Sequence, residues 1–267
     1  MTAPHYEALS IRREGAVDWV TLNRPERLNA LNTTLVDNLL DYFGGLYMNH
    51  DIRVVVLRGA GRAFCAGADI KDTKVDAAGG AAAGLRAQRR ISEIVMRMRR
   101  CPQPIVSLVH GAAAGGGFAF ALASDVRIAT PSARMNAAFI RIGLSACDIG
   151  VSYFLPRLVG VSVASELMLT GRFIDAERAL RLGLVSEIVA EDQLEAAGRK
   201  LVEEMLHASP LGLRLTKECL NMSVDAPSLE AAIAMEDRNQ ILCVGTGDFQ
   251  EGMRAFLEKR PPNYAKG

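Results

Sequence analysis

Several things are scarce in this sequence, and each shortage closes off a class of protein. Aromatic residues make up only 6% of the 267 residues, with a single tryptophan, Trp19. The five cysteines (Cys65, Cys101, Cys147, Cys219 and Cys243) are odd in number and form no C-x-x-C pair. That pattern argues against a disulfide framework or a zinc site. Neither sign of charge dominates. The formal net charge is +1, so there is no global signature of polyanion binding. No apolar stretch reaches the ~20 residues that span a bilayer. The opening MTAPHYEALSIRREG lacks a basic segment followed by an apolar run, so no secretory leader is visible. These features together point to a reducing, cytoplasmic setting. The four histidines are dispersed, and no G-x-S-x-G or G-x-G-x-x-G motif is present.

What remains is a chain with 49% hydrophobic residues and 24 glycines, enough to bury a sizeable core with close helix packing. Residues 6–11 and 17–22 read as strands, and Asn32 or Thr33 caps a helix running to about residue 48. The run IRVVVL (52–57) and the segment 105–109 are continuous apolar stretches typical of strands covered on both faces. Residues 126–129 form a third such strand. A Gly/Ala-rich loop at 77–84 precedes a helix over 85–100. The last third reads as mostly helical, with a short strand at 184–188. Strands early and helices late predict an α/β core with a helical appendage.

Two glycine-rich turns carry the visible chemistry. FCAGADIK (64–71) and HGAAAGGGFAF (110–120) each follow a buried strand and read as openings of helices. Small residues let a ligand approach the backbone, and helix-starting N–H groups lack internal partners. Two such turns facing each other could aim two N–H donors at one carbonyl oxygen, an oxyanion hole that needs no catalytic side chain. Either turn alone is as readily explained by tight helix–strand packing.

In order and spacing, NRPERLNAL (23–31), AFCAGADIK (63–71), the strand and turn at 105–117, LVG…ELMLTGRFIDAERALRLGLVSEIV (158–189) and EGMRAFLEKRPPNY (251–264) resemble the crotonase superfamily of enoyl-CoA hydratases and isomerases. The resemblance implies a crotonase-like spiral of ββα units over residues 1–195, carrying the acyl-CoA site. It also implies a C-terminal helical trimerisation region over 196–267, giving a homotrimer or a dimer of trimers. Coenzyme A would enter as part of an acyl-CoA thioester substrate, with no covalently bound cofactor and no metal. The oxyanion donors carried over are the backbone N–H groups of Ala68 and Gly116. The coenzyme A contacts map to Arg27, Leu28, Ala66, Asp69, Ile70, Lys71 and Lys259.

The chain departs from a standard hydratase at two positions. The family's two catalytic glutamates fall on Ala119 and Phe139, neither of which can transfer a proton. These side chains would instead shape an apolar acyl pocket or simply fill the core. Asp148, in CDIGVSYFLPRLVG, falls where related dienoyl-CoA isomerases carry a catalytic aspartate. It reads equally as an N-terminal helix cap. The fold resemblance therefore leaves open an isomerisation or other specialised reaction, a catalytically silent acyl-CoA-binding protein, and an RNA-binding homologue. The last would use the arginine stripe Arg86, Arg89, Arg90, Arg97 and Arg100 on the helix over 85–100, although the balanced overall charge argues against nucleic acid. Cys65 and Cys147, which flank the site, read as small buried apolar groups, and His110 as structural.

Overall fold

The computed structural model describes residues 5–71 and 80–264. Two strands, β1 (Leu9–Glu14) and β2 (Val17–Leu22), form a hairpin that turns at Gly15. β2 then pairs in parallel with β3 (Val54–Gly59), β3 with β4 (Ile105–Val109), β4 with β6 (Val126–Ala129), and β6 with the short β9 (Glu187–Ile188). The result is one six-stranded sheet. β3 and β4 lack an alternating pattern because both of their faces are covered, as expected for parallel strands.

A second, smaller sheet consists of β5 (Ala112–Ala114), β7 (Arg134–Asn136) and β8 (Ile174–Asp175). Its register aligns Ala113 with Met135 and Met135 with Ile174, and an isolated bridge adds Cys65 to the same row. Each turn of the chain thus contributes a long strand to the large sheet and then a short one to the small sheet. That repeated step makes a spiral.

Helices complete the frame. α1 (Thr33–Leu46) is capped by the Asn32 side chain, which accepts from the Leu35 N–H at 2.9 Å. α2 (Gly80–Arg100) starts five residues before the expected position, because 80–84 of the expected Gly/Ala loop are helical; 77–79 lie outside the described residues. α3 (Gly116–Ala123) is buried along its whole length. α4 (Val151–Val159), α5 (Val161–Thr170) and α6 (Ala176–Arg181) follow. The main core lies between the large sheet, the small sheet and helices α1 to α5, around Phe43, Phe64, Phe118 and Phe120. The opposite face of the large sheet packs Trp19, Val54, Val56 and Val106 against Leu194 and Val202 of α7 (Leu194–Leu206). The expected division after residue 195 therefore falls inside α7, and α8 (Pro210–Ser223), α9 (Leu229–Val244) and α10 (Gly247–Glu258) come after it. Lys217 ties α8 to the core: its Nζ is buried, lies 2.9 Å from Asp125 Oδ2, and donates to the carbonyls of Met98 and Gln103. α9 buries no residue. Among the described residues no helix is long and apolar enough to cross a membrane.

Candidate functional site

The two glycine-rich turns meet. A Cβ added at Gly67 would lie 2.8 Å from the Ala114 carbonyl oxygen and 3.6 Å from the Gly116 nitrogen. One added at Gly117 would lie 2.1 Å from the Cys65 carbonyl oxygen. Only glycine allows the two backbones this close.

The turns reach that contact by different routes, and here the structure corrects the sequence reading. The second turn opens a helix, α3, after a left-handed Gly115 (φ +51). In the first, no helix begins within the described residues 64–71. Its backbone is claimed on one side by Leu31, which donates to Gly67 O at 2.7 Å and accepts from the Asp69 N–H at 2.9 Å. On the other side Cys65 exchanges hydrogen bonds with Ala112 and Ala114. This pairing uses the Gly67 carbonyl and the Asp69 N–H and leaves the Ala68 N–H between them out. Among the described residues neither Ala68 N–H nor Gly116 N–H has a protein acceptor. Gly116 N–H is unpaired because the first N–H groups of a helix have no intrahelical partner.

Two buried polar groups brace the first turn. Asn29, fully buried and in the left-handed region (φ +56), donates from Nδ2 to the carbonyls of Ala60, Ala63 and Phe64 and accepts the Arg24 N–H on Oδ1. Arg24 pairs with the buried Asp69 carboxylate at 3.1 Å. Both residues lie within or beside segments quoted from the sequence, yet composition alone gave neither a role.

Around the unpaired amides lie Leu31, Phe139 and Ile149. Leu31 Cδ1 and Ile149 Cδ1 stand 2.6 and 3.7 Å from where a Gly116 Cβ would be. The Phe139 ring, on a 3-10 turn at Ala138–Ile142, lies 3.4 Å from the corresponding point at Gly115. Ala119 is buried within α3. At the two positions where the resemblance expects glutamates, then, one side chain is core and the other is a ring laid over the second turn.

Asp148 precedes Ile149 and is half-buried. It is not the helix cap: the N-cap of α4 is Gly150, which has no side-chain cap bond. Instead Asp148 Oδ1 accepts from its neighbour's N–H, Ile149, at 2.8 Å and from Gln88 Nε2 of α2 at 2.5 Å. Burial raises its pKa, and these two donors offset the rise only in part. Ile149 itself has φ +36, an outlier for a β-branched residue, held by its packing on Gly116 and followed by a left-handed Gly150. Sequence reasoning missed Gln88, which lies 60 positions from its partner.

The expected coenzyme A contacts divide. Leu28, next to the exposed Arg27, joins Ala66 by accepting the Ala66 N–H at 3.0 Å, and Ile70 and Lys71 are exposed at the end of the first turn. The Asp69 side chain, however, is buried against Arg24. Lys259 is an exposed, left-handed C-cap of α10, and no hydrogen bond or ion pair joins it to either turn. Cys65 is buried, which pushes its thiol up to about 12, partly offset by a hydrogen bond from the Gly67 backbone. Cys147 is exposed rather than buried, because it lies in the irregular segment leading to Asp148. His110 Nε2 bonds to the Gly61 carbonyl at 2.9 Å. In the arginine stripe, Arg90 pairs with Asp37 of α1, and Arg97 binds Glu93 and the Leu40 carbonyl. No group of metal-ligating side chains occurs among the described residues.

The family profile described as "Enoyl-CoA hydratase/isomerase" matches residues 12–267. A Mycobacterium tuberculosis protein named "Probable enoyl-CoA hydratase EchA12" is 40% identical over 250 residues, covering 92% of this chain and 88% of its own. The 1,2-epoxyphenylacetyl-CoA isomerase of Escherichia coli is 35% identical over 252 residues, covering 94% and 95%. The crystal structure of an enoyl-CoA hydratase from Bacillus anthracis superposes with a TM-score of 0.91 at 32% identity, covering 98% of this chain and 100% of that one.

Proposed function

The chain belongs to the enoyl-CoA hydratase/isomerase family and has its crotonase fold, and from that premise we propose that it isomerises an acyl-CoA thioester through an enolate. The observation that carries this reading is the pair of unpartnered amides, Ala68 and Gly116, on two turns that touch. A thioester oxygen set between them would gain two preorganised donors just where negative charge develops. Asp148, which has no ion pair among the described residues and whose neighbour Ile149 packs on Gly116, then moves the proton. It takes one from the carbon next to the thioester, the electrons shift onto the oxygen, and the proton returns at a carbon farther along, so the double bond migrates with no net gain or loss. A carboxylate whose pKa is raised toward neutrality suits that exchange.

Ala119 and Phe139 support isomerisation over hydration, since neither can activate water, and the isomerase name of the Escherichia coli relative agrees. Arg27, Leu28, Ala66, Ile70 and Lys71 would receive coenzyme A, with Asp69 contributing through its backbone. Lys259 would serve a neighbouring subunit. The exposed Leu229, Ile233, Ile241, Phe256 and Leu257 on α9 and α10 support a homotrimer or a dimer of trimers.

The test is Asp148→Asn, assayed with 3-hexenoyl-CoA in deuterated water. Turnover and deuterium uptake next to the thioester should vanish while the affinity for the ester is kept. Retained turnover removes Asp148 from the mechanism. Binding without turnover by the wild-type protein, across crotonyl-, 3-enoyl- and 3,5-dienoyl-CoA, would instead make it a silent acyl-CoA binder.

A further inference from the structure

We infer that Gln88 is a positioning residue that dictates which oxygen of Asp148 handles the proton: with Oδ1 held by the Gln88 amide and the Ile149 N–H, Oδ2 is the atom that accepts and returns it. This rests on the reading of Asp148 given above.

A carboxylate oxygen offers about two lone-pair sites. At Asp148 both donors converge on Oδ1, Gln88 Nε2 at 2.5 Å and the Ile149 N–H at 2.8 Å. Oδ2 has no protein donor among the described residues, and Asp148 is only half-buried. The two oxygens are thus inequivalent: one is saturated and weakly basic, the other free.

Both donors are held rigidly. The Ile149 N–H is aimed by the left-handed backbone at Ile149, and the Asp148 carbonyl accepts from the Val151 N–H at 2.9 Å, which ties the loop to the start of α4. Gln88 is carried by α2, which is anchored by buried Ile94, Val95 and Met98 and by Arg97 bonding to the Leu40 carbonyl at 2.6 Å. Gln88 is also the one residue of 84–90 that is not exposed. A glutamine turned inward from an otherwise solvated stretch has a specific partner. Among the described residues, burial and these two neutral donors are what set the basicity of Asp148. Gln88 therefore controls both the orientation of the carboxylate and its affinity for a proton.

The experiment follows isomerisation of 3-hexenoyl-CoA by Gln88→Leu, which keeps volume and removes the donor, and by Gln88→Glu, which keeps length. Losing one donor to a carboxylate should move the rising limb of the pH–rate profile up by about one unit. Freeing the carboxylate to rotate should cut kcat roughly ten- to a hundredfold, with KM within about twofold. The Glu variant should move the limb at least as far, because a second carboxylate opposes ionisation of the first. Circular dichroism and ester affinity check that each variant is folded. If both variants keep the wild-type kcat and pH limb while Asp148→Asn is inactive, the role of Gln88 is refuted and that of Asp148 stands. If Asp148→Asn is active, the underlying reading fails instead.

Discussion

Gly117→Ala is the sharpest perturbation of the place where the two turns touch. The added methyl would lie 2.1 Å from the Cys65 carbonyl oxygen and 2.7 Å from Cys65 Cβ, against a floor of 3.0 Å for real contacts. α3 and the first turn must therefore part by about 0.9 Å, unless one of them bends. Cys65 cannot yield easily, because its N–H donates to Ala112 O and its carbonyl accepts from Ala114 N–H, both at 3.0 Å. Overpacking of this kind costs about 1–3 kcal/mol, and the better helix propensity of alanine returns at most ~1 kcal/mol of it. About 0–3 kcal/mol remains, which for a chain of this size is a Tm loss of up to roughly 12 °C. The catalytic effect should be larger than the loss of stability. Moving one amide by about an ångström relative to the other spoils a shared oxygen site, for a loss of about a hundredfold in turnover. Scanning calorimetry and turnover of 3-hexenoyl-CoA in deuterated water measure the two effects side by side. Gly45→Ala, on an exposed turn of α1 where a Cβ meets nothing within 4 Å, is the control and should not lower either. A Gly117→Ala protein that turns over within threefold of wild type would refute the reasoning, because the amides would then not need their spacing.

Asn29→Ala should be among the most destabilising single changes in the first turn. It strips buried carbonyls at Ala63 and Phe64 of their donor and places alanine at φ +56, for a loss of about 3–5 kcal/mol in denaturant melts. Glu195→Gln tests an ion network instead. Burial alone would raise this carboxyl, but hydrogen bonds from Arg12, Arg199 and Arg58 hold it down at about 2. A folded pKa below the unfolded one gives stability that is complete above the ordinary carboxylate range and lost as pH falls toward 2. The group is about a third exposed, so the contribution is discounted to about 1 kcal/mol. The variant should therefore melt a few degrees lower at pH 7 and match wild type near pH 2.

Most of the large sheet could be read from sequence because its strands are rich in β-branched and apolar residues: 17–22, 105–109 and 126–129 match the observed strands, and 52–57 is shifted by two residues. The small sheet could not. Ala-Ala-Ala, Arg-Met-Asn and Ile-Asp are too short for any periodicity, and pairing between distant segments alone makes them strands. The same distant pairing keeps the described residues of the first glycine-rich turn out of the helix that small residues after a strand predict: Leu31, Ala112 and Ala114 take its backbone instead. Small residues marked both turns in advance, but not the direction of their amides. Asp148 stood out as a carboxylate in a suggestive place, whereas its Gln88 contact depends on how α2 lies across the loop before α4, which no local pattern encodes.

The row that runs from Cys65 through Ala113 and Met135 to Ile174 gives the small sheet a significance beyond architecture. It holds the two glycine-rich turns against each other with main-chain bonds alone, so under the proposed function the carbonyl would be gripped without side chains. What is done to that carbonyl would then depend on side chains at three scattered positions, Ala119, Phe139 and Asp148. Divergence within such a lineage can therefore rewrite those three letters and leave the clamp untouched, so a new reaction need not be accompanied by a new scaffold.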